Sequence, residues 1–440
     1  MPQQPLPHVP RTPYMLSTGA LIRQYPPPSP RGLVRRLAGD CDDPGAAGAV
    51  ITCDGSHNRR APEPCFPNPT LPASPKSAMV TSMKTKLALS LFFCVTFIAA
   101  VAAGETASSP LEIHMAPDGR DSAAGDRPNR AVKSLERVHG ILKEKRPERD
   151  VVIRIAPGTY RGQQVIWTHT HPDHSITFTR AGLEAENPVF DGCLDEAESP
   201  ENCPGGTWFR LRRSDGEPSN LRFHYLTIRN YGAAISLDGN RNDENGFNSH
   251  NEIADCVFER IGNISNPALR GSTATVRMVN SRFNRVVRSD FIDIVNIGER
   301  ASLMHALYLA HRASDNIIAD NRFINQTGDA VRVRDRSHRN RVHGNTFDRA
   351  GIRGAMSEWY AYPGVGATRD MTSARECPSY ENKFFDNVIG TNYEGEPLSP
   401  TFIFHGQRDL PEGCEPPPEG DGTPRMTARD NRFLPDTPPE

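Results

Sequence analysis

His305–Phe323 reads HALYLAHRASDNIIADNRF, and Asp329–Phe347 reads DAVRVRDRSHRNRVHGNTF. The second stretch repeats the first at an offset of 24 residues without a gap. Ala306/Ala330, Arg312/Arg336, Asn316/Asn340, Asn321/Asn345 and Phe323/Phe347 are identical, and Leu307/Val331, Leu309/Val333 and Ile318/Val342 stay apolar. Self-similarity at such a period marks a stacked architecture. Within each unit the apolar residues alternate as in half-buried strands, and no helical stripe runs through them. Each unit therefore reads as one coil of an all-β solenoid. Leu307, Leu309, Val331 and Val333 share the inward parity, and Tyr308, Arg332 and Arg334 the outward one. Because coils stack about 4.8 Å apart, Tyr308 is expected beside Arg332, with Arg334 next along the strand.

Outward from this pair, further coils follow. NLRFHYLTI, NEIADCVF, TVRMVNSRF, ENKFF and TARDNRF carry the same short pattern. Phe258, Phe283, Phe323 and Phe347, spaced by 25, 40 and 24 residues, are expected to stack as an internal ladder, the 40 arising from an insertion around Asn296–Met304. Asn251, Asn316 and Asn340 hold one turn position, where side-chain amides can bond between coils. Tyr360–Glu376 and Arg408–Arg425 read as loops projecting from the rod. Upstream, an amphipathic helix over about 131–143, with Leu135, Val138, Ile141 and Leu142 on one face, is expected to cover the open end of the first coil.

Residues 1–82 are rich in isolated prolines and lack apolar periodicity, as in a disordered segment, and read as upstream sequence outside the protein proper. MKTKLALSLFFCVTFIAAVAAGE over 83–105 carries a positive start, an apolar stretch and a small-residue cleavage site. It reads as a signal peptide over 83–103 rather than a membrane anchor. The expected mature chain, 104–440, is one β-helix with coils over about 151–433, secreted or periplasmic, monomeric and free of the membrane. Of the nine cysteines, Cys193/Cys203 and Cys377/Cys414 could form disulfides, and Cys256 in IADCVF reads as a buried thiol. A formal net charge of −2 argues against a nucleic-acid partner. Between His311 and Arg353, however, nine arginines stand against five aspartates, a basic stripe that suits a polyanion.

The leader, the helix, the Gly158-Thr159-Tyr160 turn and the serial Asn-x-Phe coils resemble the right-handed parallel β-helix proteins of the pectate-lyase-like superfamily, over about Ile113–Phe433. The resemblance implies binding, cleavage or epimerisation of acidic polysaccharides in a groove along one sheet. GDAVRVRDRSHRNRVHGNTF is also similar to a segment of alginate lyases and chondroitinase B. On that resemblance Asp329 matches a calcium-ligand acid and Arg336 stands where the family has its catalytic lysine, with Ser337 following. Ser357-Glu358-Trp359 replaces an arginine of the next coil, and Val331 replaces a second calcium-cluster acid.

The residues themselves assemble a lyase set. β-Elimination on a uronate needs a cation to neutralise the carboxylate and a base to take the C5 proton. Arg332 and Arg334 are candidate cations, and Tyr308 or His305 is a better base than Arg336, since arginine stays protonated. Asp329 and Asp335 are candidate Ca²⁺ ligands. His311, Arg312, Glu358 and Trp359 are candidate substrate contacts. A non-catalytic glycan-binding or adhesion rod is the second reading. Two remoter ones remain. His169, His171, Asp173 and His174 match the HxHxDH letters of zinc hydrolases without their downstream context. Asp290/Asp293 would serve a carboxylate-pair hydrolase.

Overall fold

A computed structural model describes residues 109–361, 375–404, 411–418, 420 and 422–435. The segments 1–82 and 83–103 lie outside the described residues, as does part of each loop expected over Tyr360–Glu376 and Arg408–Arg425. Three sheets of ten, eight and nine strands carry the chain, and every strand pairing in them is parallel. The chain visits them in rotation: Arg285–Val287, Asp290–Val295 and His305–Ala310 form one circuit, and Ile317–Ala319, Arg322–Gln326 and Val331–Arg334 the next. This is a parallel β-helix. Among the described residues no helix is long and apolar enough to cross a membrane.

The eight-stranded sheet contains β1 (Val165–Trp167), β2 (Thr207–Arg212), β3 (Ala233–Asp238), β4 (Ala274–Val279), β5 (His305–Ala310), β6 (Val331–Arg334), β7 (Gly354–Trp359) and β8 (Ser399–Ile403), each beside the next. The register follows the 24-residue offset: Leu307 pairs with Val331, Tyr308 with Arg332, and Ala310 with Arg334. Leu307, Leu309, Val331 and Val333 are fully buried, so the inward parity holds.

Two corners of each circuit are built alike. A residue in left-handed conformation (His250, Phe283, Asp315, Arg339, Glu381) precedes a buried asparagine. The asparagines Asn251, Asn284, Asn316, Asn340 and Asn382 form one ladder. Asn316 N and Nδ2 donate to Asn340 Oδ1 at 3.1 and 2.9 Å, and Asn340 donates likewise to Asn382 Oδ1 at 3.0 and 3.0 Å. Asn321, Asn345, Asn387 and Asn431 form a second ladder at the other corner. Each rung satisfies the asparagine N–H, while the asparagine carbonyl accepts from a backbone N–H of the next coil, as Asn340 O does from Lys383 N at 2.9 Å, so the buried turn leaves neither group unpaired.

The aromatic ladder departs from expectation at one rung. Phe258, Phe291, Phe323 and Phe347 stack at 4.8, 5.0 and 4.8 Å, whereas Phe283 is 48% exposed at a corner. The rung residue stands two places after the corner residue, as Phe323 does after Asn321. Phe283 stands one place before Asn284. The true spacings are 33, 32 and 24, so two long circuits replace one of normal length and one enlarged.

Helix α1 spans Leu135–Lys145. It starts four residues later than the periodicity suggests, because Ser134 caps it by accepting from Arg137 N at 3.1 Å. Leu135, Val138, Ile141 and Leu142 are buried in the same core as Ile113 and Ile153. The disulfides Cys193–Cys203 and Cys377–Cys414 are both formed. Cys256 is free and buried, and burial pushes its thiol up to about 12.

Candidate functional site

Parallel in-register strands turn alternate side chains of one sheet into rows. On the outer face of the eight-stranded sheet one row runs Ser236, Arg277, Tyr308, Arg332, Ser357. Beside it run Asp238, Val279, Ala310, Arg334 and Trp359. Tyr308 opens onto a cavity of about 300 Å³ that it shares with Asp238, Arg241, Thr273, Arg277 and His311.

The phenol of Tyr308 is held from the side. Arg334 Nη1 donates to its oxygen at 2.8 Å. The same guanidinium meets Glu376 through two parallel bonds, Nε to Oε2 at 2.6 Å and Nη2 to Oε1 at 2.7 Å, and lies 4.3 Å from the Trp359 ring centre. A fork-to-fork pair of this kind fixes orientation as well as charge. Burial alone would lower the Arg334 pKa, but Tyr308 and Glu376 outweigh it and raise it. Glu376 is fixed in turn by Ala361 N, 2.9 Å from Oε2, and stands next to the Cys377–Cys414 disulfide.

His311 sits at the cavity's edge. Its Nδ1 is 2.8 Å from Asp335 Oδ2, and Arg241 Nη2 donates to its Nε2. An arginine can only donate, so Nε2 is the acceptor and the ring proton is on Nδ1. Burial pushes the Asp335 carboxyl up, yet the His311 bond, the Cys377 amide and Arg336 together hold it below the usual carboxylate range. His311 and Arg312 are both left-handed, as are Asp335 and Arg336 one coil on, so two consecutive turns present these side chains in the same way.

Further along the row lies a second knot. Arg332 is only 7% exposed. Its Nη2 donates to Asp329 Oδ2 at 2.9 Å, its Nε donates to Ser357 Oγ at 2.8 Å, and its guanidinium lies 4.6 Å from the centre of the Phe404 ring. Burial pushes the Asp329 carboxyl up, but Arg332, the Arg353 amide and His305 outweigh that and lower it. His305 is buried, with Nδ1 2.7 Å from the Asp329 carbonyl oxygen. Burial first, then Arg332, drives its pKa down to about 3, so the ring is neutral. Burial likewise lowers His338 to about 4.

These imidazoles set an acid limit. Both folded values lie below the ordinary 6.5, so the unfolded chain binds protons first as pH falls. Their contribution is complete above pH 6.5 and is lost progressively down to about 4 for His338 and about 3 for His305. The slope is about 1.4 kcal/mol per pH unit for each group in its window. The midpoint of thermal unfolding should fall steadily on acidification below pH 6.5, and the slope should flatten in His338→Gln. A pH-independent midpoint over that range would contradict the buried neutral rings.

Several expected site residues stand elsewhere. Glu358 pairs in register with Val333 and so points inward. It is fully buried, forms an ion pair with Arg425 and accepts from Ser379 N at 2.8 Å, so it cannot touch a ligand in the groove. Burial pushes its carboxyl up. Arg332 is occupied as described, and Arg336 bonds to Asp335 Oδ1 at 2.6 Å. Arg312 reaches the Arg241 carbonyl at 3.5 Å. Trp359 meets Arg334. Asp290 and Asp293 belong to the nine-stranded sheet, not to this face. The HxHxDH letters do not make a metal centre. His171 Nε2 meets Glu148 at 3.0 Å, its Nδ1 accepts from Asp173 N at 3.1 Å, and its ring packs against His174. The sequence reading missed Arg241, Arg277 and Glu376. Arg277 had a signal, since it occupies the outward parity of TVRMVNSRF. Glu376 had none, because an insertion moves it from the 24-residue offset to one of 42.

Among the described residues, His311, Asp335 and Glu376 are the one group whose ligand atoms converge enough for a metal. Calcium takes six to eight oxygens. Here Asp335 Oδ1 receives Arg336 and Cys377 N, its Oδ2 faces His311, and both Glu376 oxygens receive Arg334. Asp329 stands apart, with Oδ2 on Arg332 and Oδ1 on the amides of Ile352 and Arg353. The residues present do not fit a calcium ion, since arginines, His311 and backbone amides already fill the acceptor positions.

No family model and no curated protein matches the chain. Solved structures do. An alginate lyase from Paenibacillus sp. is 13% identical, with 74% of this chain and 95% of that one aligned at a TM-score of 0.40. A rhamnogalacturonan lyase is 12% identical over 73% of this chain and 68% of that one, at 0.36. Pectate lyase Pel9A is 12% identical over 64% of each chain, at 0.34. The parallel β-helix itself is read from the three sheets of this chain.

Proposed function

We propose that this is an exported polysaccharide lyase that cleaves an acidic polysaccharide by β-elimination in the cavity beside Tyr308. The observation that carries the reading is the Tyr308 oxygen accepting from a clamped Arg334, in a cavity that Arg241 and Arg277 also line. Arg277, which also donates to Asp238 at 2.9 Å and Ser236 at 3.0 Å, and Arg241 would neutralise the uronate carboxylate. Tyr308, as the phenolate, would take the C5 proton, the C5–H electrons would form the C4–C5 double bond, the bond from C4 to the leaving oxygen would break, and the phenol would pass its proton to that oxygen, which restores the phenolate. Arg334 faces the oxygen on which charge sits once the phenol proton is gone. His305 remains the other candidate base by protonation state, but its enclosure favours Tyr308. The two disulfides and the leader-like segment support export, and α1 would seal the first coil.

Incubation of the mature chain with alginate, polygalacturonate and glycosaminoglycans tests this through the ultraviolet absorbance of the unsaturated uronate product. Calcium or EDTA should change neither the rate nor the unfolding midpoint. Binding without product would favour the adhesion reading, and product without new absorbance an epimerase or hydrolase.

A further inference from the structure

The ten-stranded sheet carries a second groove, of about 460 Å³, lined by Phe283, Asp315, Ile317, Arg339, Arg341, Glu381 and Lys383. We propose that it is a separate binding site for a carboxylated sugar chain, with Phe283 as the stacking platform and Arg341 and Lys383 as the carboxylate contacts. Phe283 holds φ 56° and is 48% exposed. The equivalent corners of other coils use Asn220, His250, Asp315, Arg339 and Glu381. A large aromatic ring gains nothing from a left-handed backbone, nor from facing water, and such strain gathers at ligand sites. The ring stacks on His250 at 5.5 Å, which leaves its other face toward the groove.

The charges point the same way. Ile317, Arg341 and Lys383 succeed one another in register on the outer face. Arg339 is spent on Asp315 through two bonds of 2.8 Å. Arg341 and Lys383 form no ion pair among the described residues, and like charges directly opposite on neighbouring strands destabilise a sheet. An aromatic face beside two cations that form no ion pair, with Asp315 held by Arg339 and Glu381 as the groove's other carboxylate, on an apolar floor at Ile317, matches a sugar ring bearing a carboxylate. This inference does not depend on chemistry at Tyr308.

The test uses the whole mature chain, oligogalacturonate and its methyl ester, read by calorimetry. Phe283→Asn and Lys383→Ala should each weaken one oligogalacturonate-binding event by about tenfold, equivalent to about 1.4 kcal/mol. The ester should not bind there. Phe283→Asn should also raise the unfolding midpoint, because asparagine tolerates the left-handed corner. If the Tyr308 cavity also binds the chain, the variants weaken one of two events, and if it does not, they weaken the sole one. Unchanged affinity in both variants, equal binding of the ester, or a lowered midpoint in Phe283→Asn would overturn the proposal.

Discussion

Tyr308→Phe should reduce product formation by about 10²- to 10⁴-fold, the usual contribution of a positioned proton-transfer group. The substitution keeps the ring and removes one oxygen, on the outer face of β5. The inward neighbours Leu307 and Leu309 and the register with Arg332 are untouched, so the unfolding midpoint should stay within a degree or two of the parent. What is lost is the acceptor for Arg334 Nη1. Affinity for the polymer should change little if Arg277 and Arg241 carry the carboxylate, so the loss should fall on kcat rather than KM. Arg277→Ala should show the opposite split. Full activity in Tyr308→Phe would remove the phenol from the mechanism and leave His305 to be tested.

Glu376 supplies a check on the same geometry. It touches Arg334 and not the cavity, so it acts by positioning. Glu376→Gln retains the shape but loses half of the charge-paired fork, and Arg334 can then swing away from Tyr308.

How much of this was legible beforehand follows from periodicity. Side chains 24 apart could be placed beside one another because the circuit from Tyr308 to Arg332 has no insertion. Arg277 lies 31 positions before Tyr308, so the same offset misses it, although the strands pair directly. Phe283 was mistaken for a rung because NSRF copies the letters of DNRF while sitting at the other kind of corner. Glu358 was taken with Trp359 as a substrate contact, whereas alternation from Val333 across the strand pair places it inside. Glu376 shows the limit: it reaches Arg334 from 42 residues away, the offset that also separates Asn340 from Asn382, because that circuit carries an insertion.

The second large effect is on stability. Asn340→Leu keeps the number and branching of the side-chain heavy atoms, so little of its cost can be a cavity. It removes an Oδ1 that accepts from Asn316 N and Nδ2, and an Nδ2 that donates to the Ala313 carbonyl at 3.0 Å and to Asn382 Oδ1. All of these groups are buried, and each buried donor or acceptor left without a partner costs about 1–3 kcal/mol. Allowing for relaxation, the loss should reach about 4 kcal/mol, a large share of the stability of an ordinary domain. In a solenoid each coil is held mainly by its neighbours, so a broken rung weakens the coupling of the coils before Asn340 to those after it. Chemical denaturation should then separate into two transitions, with hydrogen exchange rising first at the corners of Asn316 and Asn382. Exposed Arg341, one residue on, provides the control: Arg341→Leu should leave the transition single and its midpoint nearly unmoved. A similar small effect in Asn340→Leu would mean that the amide ladder follows from the stacking rather than holding it.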